Sequence, residues 1–209
     1  MPNKNMLKKD FISAAVVGFI TAVFMIPILV FSETPLAYSD LTLPLWSLFL
    51  IVPIGEYAAY IVASKLFSHI TALKQLGRFG IVGLMNFCVD TGIVYTLQYY
   101  TGIGINDPRI LYLFVMSASV AIVNSYFWQR NWTFSEKAPP TAKEFMGFLF
   151  VTILSIGINS GVAFVVGNIL LGLNVIAASR VLGASKVIAT VVSLFWNFFG
   201  YKFIVFKKQ

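Results

Sequence analysis

The sequence predicts an all-α integral membrane protein with six transmembrane helices. The last four form a core of two similar hairpins related as parallel repeats, and the first two are an added N-terminal hairpin. Three observations predict this. The 209 residues are 58% hydrophobic and only 11% charged, whereas a soluble domain carries about 25% charged residues. The apolar residues gather into runs of the roughly 20 that cross a bilayer. The lysines and arginines crowd alternate connections, as a multi-pass topology requires.

The first span runs from Phe11 to Phe31 and follows Lys4, Lys8 and Lys9. Its apolar run exceeds the about 7–15 residues of a signal peptide, and FSETPLAYSD offers no small-x-small cleavage site, so the segment is expected to be retained. The second span, Leu43 to Phe67, carries Glu56 after Pro53 and Gly55, two residues that loosen a membrane helix locally. Phe79 to Tyr100, Ile110 to Trp128, Phe145 to Leu171 and Val175 to Phe199 complete the set. Domain boundaries follow: residues 1–72 for the added hairpin and 73–209 for the four-helix membrane domain.

Orientation comes from the basic residues. Lys65, Lys74 and Arg78 fill the second connection, and Arg130, Lys137 and Lys143 the fourth. Lys202, Lys207 and Lys208 close the chain. With the N-terminal three, 12 of the 15 basic residues share one side. Both termini are therefore expected in the cytoplasm. Arg109 and Arg180 stand on the other side among Glu33, Asp40 and Asp107. The net charge of +7 is thereby explained by topology, and no nucleic-acid partner is expected. The single cysteine, Cys88, lies in an apolar run and reads as a packing residue.

The last four spans repeat. FGIVGLMNFCVDTGIVY, from Phe79, aligns with FLFVTILSIGINSGVAF, from Phe148. Asn86 then falls opposite Ser155, and Asp90 opposite Asn159. NSYFWQRNWTF, from Asn124, aligns with WNFFGYKFIVF, from Trp196, setting Arg130 on Lys202 and Phe134 on Phe206. Units of two spans imply repeats related by an axis along the membrane normal.

This pattern resembles the GtrA-like family of small bacterial membrane proteins, over roughly Leu76 to Phe206. The resemblance rests on an R-F-x-x-V-G-x-x-N-x-x-x-D opening (Arg78, Phe79, Val82, Gly83, Asn86, Asp90) and on the aromatic-basic ending from Phe127 to Phe134. In that ending Gln129 stands where many members have asparagine. The resemblance implies a plasma-membrane protein serving cell-surface polysaccharide synthesis. It implies handling of polyprenyl-phosphate-linked sugars, alone or with a cytoplasmic glycosyltransferase.

Asp90 lies about 11 residues from either end of its span, near the bilayer centre. An ionisable group there costs roughly 2.5–3.5 kcal/mol on insertion scales. Asn86, one turn earlier, shares its face, and Ser155 and Asn159 repeat the spacing. Two readings stand. The residues line an interior that contacts a ligand, or they tie helices together at about 0.6 kcal/mol per hydrogen bond. Glu56 marks a path or pairs with a cation. Lys186 snorkels to the outer headgroups, or, with Arg180, receives a lipid phosphate there. Pairing of Asp90 with Lys186 would ease the burial of both. Arg130 and Lys202, with Arg78 and Trp132, form either an aromatic, positive-inside anchor or phosphate sites at the inner leaflet.

No cofactor or catalytic centre is expected. His69 has no metal-ligand spacing, no Walker A sequence is present, and GRFGIVG lacks the strand that a dinucleotide fingerprint follows. The leading function is a flippase for polyprenyl-phosphate-linked sugars. The candidate substrate-binding residues are Asn86, Asp90, Arg130, Lys186, Lys202, Arg78, Asn159 and Trp132, in contact also with membrane lipids. The alternatives are a non-transporting scaffold for a glycosyltransferase and a small proton-coupled exporter. Four to six helices enclose little space, which leaves room for a homodimer.

The topology is testable with Cys88 replaced by alanine. An Asp107→Cys variant should react with an impermeant maleimide added to intact cells, and a Lys137→Cys variant only after the membrane is opened. The reverse pattern would invert the orientation.

Overall fold

The structure, a computed structural model, describes residues 4–31, 44–66, 70–173 and 178–207; of residues 4–9, Leu66 and residues 178–180 it describes the backbone alone. Glu33, Asp40, His69, Lys208 and the Arg180 side chain lie outside this description. Among the described residues the elements are helical throughout: α1 (Lys4–Phe31), α2 (Leu48–Leu66, after a 3-10 turn at Leu45–Ser47), α3 (Thr71–Thr101), α4 (Ile110–Trp128), α5 (Ala142–Leu173) and α6 (Ala178–Gly200). A π-helical turn follows α4 at Gln129–Thr133, and another follows α6 at Tyr201–Val205. Among the described residues, six segments are long and apolar enough to cross a membrane. The chain is a multi-pass α-helical membrane protein.

The bounds of α4 are those the apolar run predicts. The start of α3 is not. The sequence opens that span at Phe79, whereas the helix begins at Thr71. Hydropathy marks where side chains leave the hydrocarbon, but Ala72, Leu73, Lys74 and Gln75 are good helix formers and carry the helix onward. Its 31 residues span about 46 Å, against about 30 Å of hydrocarbon. It ends at Gly102, whose left-handed φ of 66° lets its N–H close on the Gln98 carbonyl. The entry to α5 carries a cap: Thr141 Oγ1 accepts the Glu144 N–H at 3.1 Å, in the T-x-x-E pattern that starts helices.

The chain forms two compact units, Met1–Ser135 and Glu136–Gln209. In the first, α1 packs against both α2 and α3, and α3 packs against α4. The core joins Ala14 and Val17 of α1 to Tyr60 of α2, to Val82, Met85 and Val89 of α3, and to Trp132. Small residues bring the backbones together, as membrane helices require when lipid offers no hydrophobic drive. A Cβ on Gly92 would lie 2.3 Å from the Phe24 carbonyl oxygen, and one on Gly18 would lie 2.4 Å from Pro53 Cα. In the second unit α5 packs on α6, with Gly200 seated against Val151.

Within themselves, the two hairpins show the same plan at aligned positions. Phe79 and Phe148 are buried, as are Val82 and Val151, and Phe134 and Phe206. Both π-turns close with the same bond: Phe134 N–H to Gln129 O at 2.9 Å, and Phe206 N–H to Tyr201 O at 2.7 Å. The sequence repeat is thus a repeat of local structure.

Gly92→Ala should destabilise the first unit by about 1–3 kcal/mol, because a backbone oxygen cannot move aside as a side chain can. Gly80→Ala, where nothing lies within 4 Å, should cost nothing measurable. Thermal unfolding in detergent compares the two.

Candidate functional site

At the end of the first unit where α1 begins, Asp10 is 4% exposed and collects donors from three other helical segments. Tyr60 of α2 donates its hydroxyl to Oδ2 at 2.5 Å. Arg78 of α3 donates Nη2 to the same oxygen at 2.8 Å. Trp132 of the π-turn donates Nε1 to Oδ1 at 3.1 Å. Arg78 also reaches the Trp132 carbonyl at 3.2 Å and lies over the Tyr60 ring at 5.6 Å. Both Asp10 oxygens are thereby satisfied, as a buried carboxylate requires. Arg78 and Trp132, the first residue of the family-like opening and a member of its ending, are held by this network.

The π-turn explains how Trp132 reaches it. Widening one turn inserts a residue, and side chains beyond it are re-aimed. Gln129, Arg130, Trp132 and Thr133 are all buried, more of one turn than a straight helix buries on one face. Gln129 Oε1 and Thr133 Oγ1 are enclosed without a hydrogen-bond partner among the described residues. In the second unit the corresponding turn is aromatic: Tyr201 stacks on Phe148 at 4.4 Å and its hydroxyl meets Thr152 Oγ1 at 2.8 Å. Lys202, half-buried, holds its ammonium 5.7 Å from the Phe198 ring and 5.6 Å from the Phe203 ring. That is cation–π range.

Deeper in the membrane, the two residues of the α3 seam behave differently. Asn86 Oδ1 accepts Nδ2 of Asn124, from α4, at 2.7 Å. Asn86 is therefore a helix tie. Asp90 is half-buried, with Oδ1 enclosed and without a hydrogen-bond partner among the described residues. A tie has a partner, and no described residue pairs with this carboxyl oxygen. On α2, Glu56 is 5% exposed, and neither of its oxygens has a hydrogen-bond partner among the described residues.

The second hairpin is tied at the place that Asn124 occupies in the first, but by Trp196, whose Nε1 donates to the Val151 carbonyl at 3.2 Å. Ser155 is buried and Asn159 half-buried. Ser193 Oγ and Asn197 Oδ1, one turn apart on α6, are enclosed without partners among the described residues. Lys186 is exposed. In the connection from α3 to α4, Arg109 grips Asp107 with Nε and Nη2 at 2.6–3.1 Å. The arginine holds the Asp107 carboxyl below its usual range, and the carboxylate raises the guanidinium in turn.

The structure therefore gathers Arg78 and Trp132 into one cluster and turns Arg130 inward. It leaves Asp90 as the seam residue with an unused oxygen. Sequence reading missed Asp10, Asn124, Gln129, Ser193 and Asn197. Asp10 stands beside Lys8 and Lys9 and reads as part of a charged flank. Asn124 carried a signal: an amide two residues before the aromatic run Tyr126-Phe127-Trp128 inside an apolar span.

Six spans, a repeated hairpin and polar side chains buried at mid-span define a polytopic membrane domain assembled from duplicated helix pairs. Residues 78–206 match the family described as GtrA/DPMS, transmembrane domain, and the chain belongs to that family. This connects it with polyprenyl-linked sugars at a membrane, in a family of generally non-catalytic membrane domains. It is 34% identical over 136 residues to the uncharacterized membrane protein YngA of Bacillus subtilis (strain 168), a match covering 64% of this chain and 80% of that protein. No solved structure matches the chain significantly. The α1–α2 hairpin precedes the matched residues.

Asp10→Ala should destabilise the first unit by about 3–5 kcal/mol, because it leaves a guanidinium enclosed without its counter-charge. Asp10→Ala combined with Arg78→Leu should recover much of that loss. A melting series in detergent on the single and double variants would show whether the two are coupled.

Proposed function

We propose that the chain is a translocase for polyprenyl-phosphate-linked sugars in the plasma membrane, with both termini cytoplasmic. The observation that carries this reading is Asp90. It is a carboxyl near the bilayer centre with an enclosed oxygen that no described residue engages, beside an asparagine pair that already ties the helices. An acid at that depth is costly, and acids within spans usually mark substrate or ion paths. An acceptor there suits sugar hydroxyls passing between leaflets while the prenyl tail stays in lipid.

Other roles follow from placement. Lys202, between two rings, and Arg130, on the equivalent turn, meet phosphate at the inner leaflet, and arginine suits it through paired donors. Asn86 stands one turn from Asp90 on the sugar's course in the first unit; in the second, Asn159 is the equivalent sugar contact and Lys186 receives the headgroup outside. Arg78 and Trp132 act through the cluster around Asp10, keeping the inner end in shape. Such a chain has no chemistry of its own and works downstream of, or docked to, a cytoplasmic glycosyltransferase, as a single copy or as a homodimer.

The test is reconstitution. Vesicles holding the protein should move a polyprenyl-phosphate hexose between leaflets faster than empty vesicles. Asp90→Ala should slow that movement at least tenfold with an unchanged melting temperature. Equal rates in full and empty vesicles would sink the translocase and leave the scaffold reading standing.

A further inference from the structure

The α2 helix carries a second mid-membrane acid that none of these roles uses. Glu56 is the twelfth residue of the 21-residue span Leu45–Lys65, so roughly 15 Å of helix lies on either side of it. It lies in the hairpin that precedes the family-matched residues. It is 5% exposed, and both oxygens are enclosed without a hydrogen-bond partner among the described residues. Among the described residues, two groups interact with it. From α1 comes the Thr21 hydroxyl, and from α3 the titratable group is Cys88. Neither is a cation.

The donor arithmetic identifies the occupant. Thr21 has one hydroxyl proton, and it is directed to the Val17 carbonyl at 3.0 Å. Thr21 thus supplies at most one donor, from a hydroxyl that can turn, and a carboxylate there would leave at least one enclosed oxygen without a donor. A carboxyl bearing hydrogen has one donor, and the mismatch is removed. A metal cation is a poor alternative, because no group of three or more metal-ligating side chains occurs among the described residues.

We propose that Glu56 is a proton-binding site within the membrane, and that the bound proton couples transport to the transmembrane pH gradient. The coupling rests on the translocase reading; the binding does not. A chain that moves a charged headgroup across hydrocarbon without a Walker A sequence does so passively or with a coupled ion, and carboxyls within spans serve as proton relays.

Two measurements on the full chain in vesicles test this separately. A membrane-permeant carbodiimide adds the O–H of a neutral carboxyl across its C=N bond, so only the hydrogen-bearing form reacts. Peptide mass spectrometry should find the adduct on Glu56, declining as pH is raised through and beyond neutrality, absent in Glu56→Gln and retained in Asp90→Asn. No adduct on Glu56, or one indifferent to pH, would overturn the proton site, and this readout needs only the wild type should the variant fold poorly. In the second measurement, an imposed pH gradient should speed polyprenyl-phosphate hexose translocation severalfold in wild type and leave Glu56→Gln at its gradient-free rate. Wild-type translocation indifferent to the gradient would overturn the coupling. Vesicles that move no lipid at all would overturn the translocase reading and the coupling with it, while the labelling still decides the site.

Discussion

A single carboxylate organises one end of the first unit. Asp10 accepts from Tyr60, Arg78 and Trp132, so one residue of α1 is bonded to α2, to α3 and to the turn beyond α4. A buried acid with an ionic partner is not by itself a source of stability. Its value here lies in register. The two oxygens are fully used only when four segments stand at set heights relative to one another, and a slip by one turn strands at least one charged or polar group. The basic residue that opens the family-like motif and the tryptophan near its end both serve this constraint. Their spacing in the sequence reflects a contact across 54 residues.

The duplicated hairpins keep a backbone plan while changing its chemistry. Each ends in a π-turn closed by a phenylalanine N–H, and each is cross-tied at the same aligned position. In the first hairpin the tie is amide to amide and the turn is polar. In the second the tie is indole to carbonyl and the turn is aromatic, with Tyr201 stacked on Phe148 and edge-on to Phe206. Acid, amide pair and arginine cluster all fall to the first copy.

Much of the fold was legible because the bilayer simplifies the problem: it demands runs of apolar residues and satisfied backbone, and both leave traces in composition. The limits of α4 could be read because Arg109 and Gln129 bound a clean apolar run. The start of α3 could not, since a helix continues past the hydrocarbon wherever propensity allows. The repeat was readable from Phe79 and Phe148, Asp90 and Asn159, Phe134 and Phe206. The π-turns were not, because their wider bonding is settled by what packs against the turn. Among the site residues, depth was legible and partnership was not. Asn86 and Asp90 look alike in the sequence, and only the position of Asn124 separates a tie from an unused acceptor. Arg78 and Trp132 read as phosphate ligands because the acid that engages them sits 68 and 122 residues away.

The two glycine contacts on α1 limit how the first unit can move. Gly18 meets Pro53 on one side, and on the other Phe24 meets Gly92, with almost two turns of α1 between the two levels. A rod notched on both flanks cannot glide along its axis without driving backbone into backbone. Any gating motion therefore has to swing α1, α2 and α3 together as a single lever.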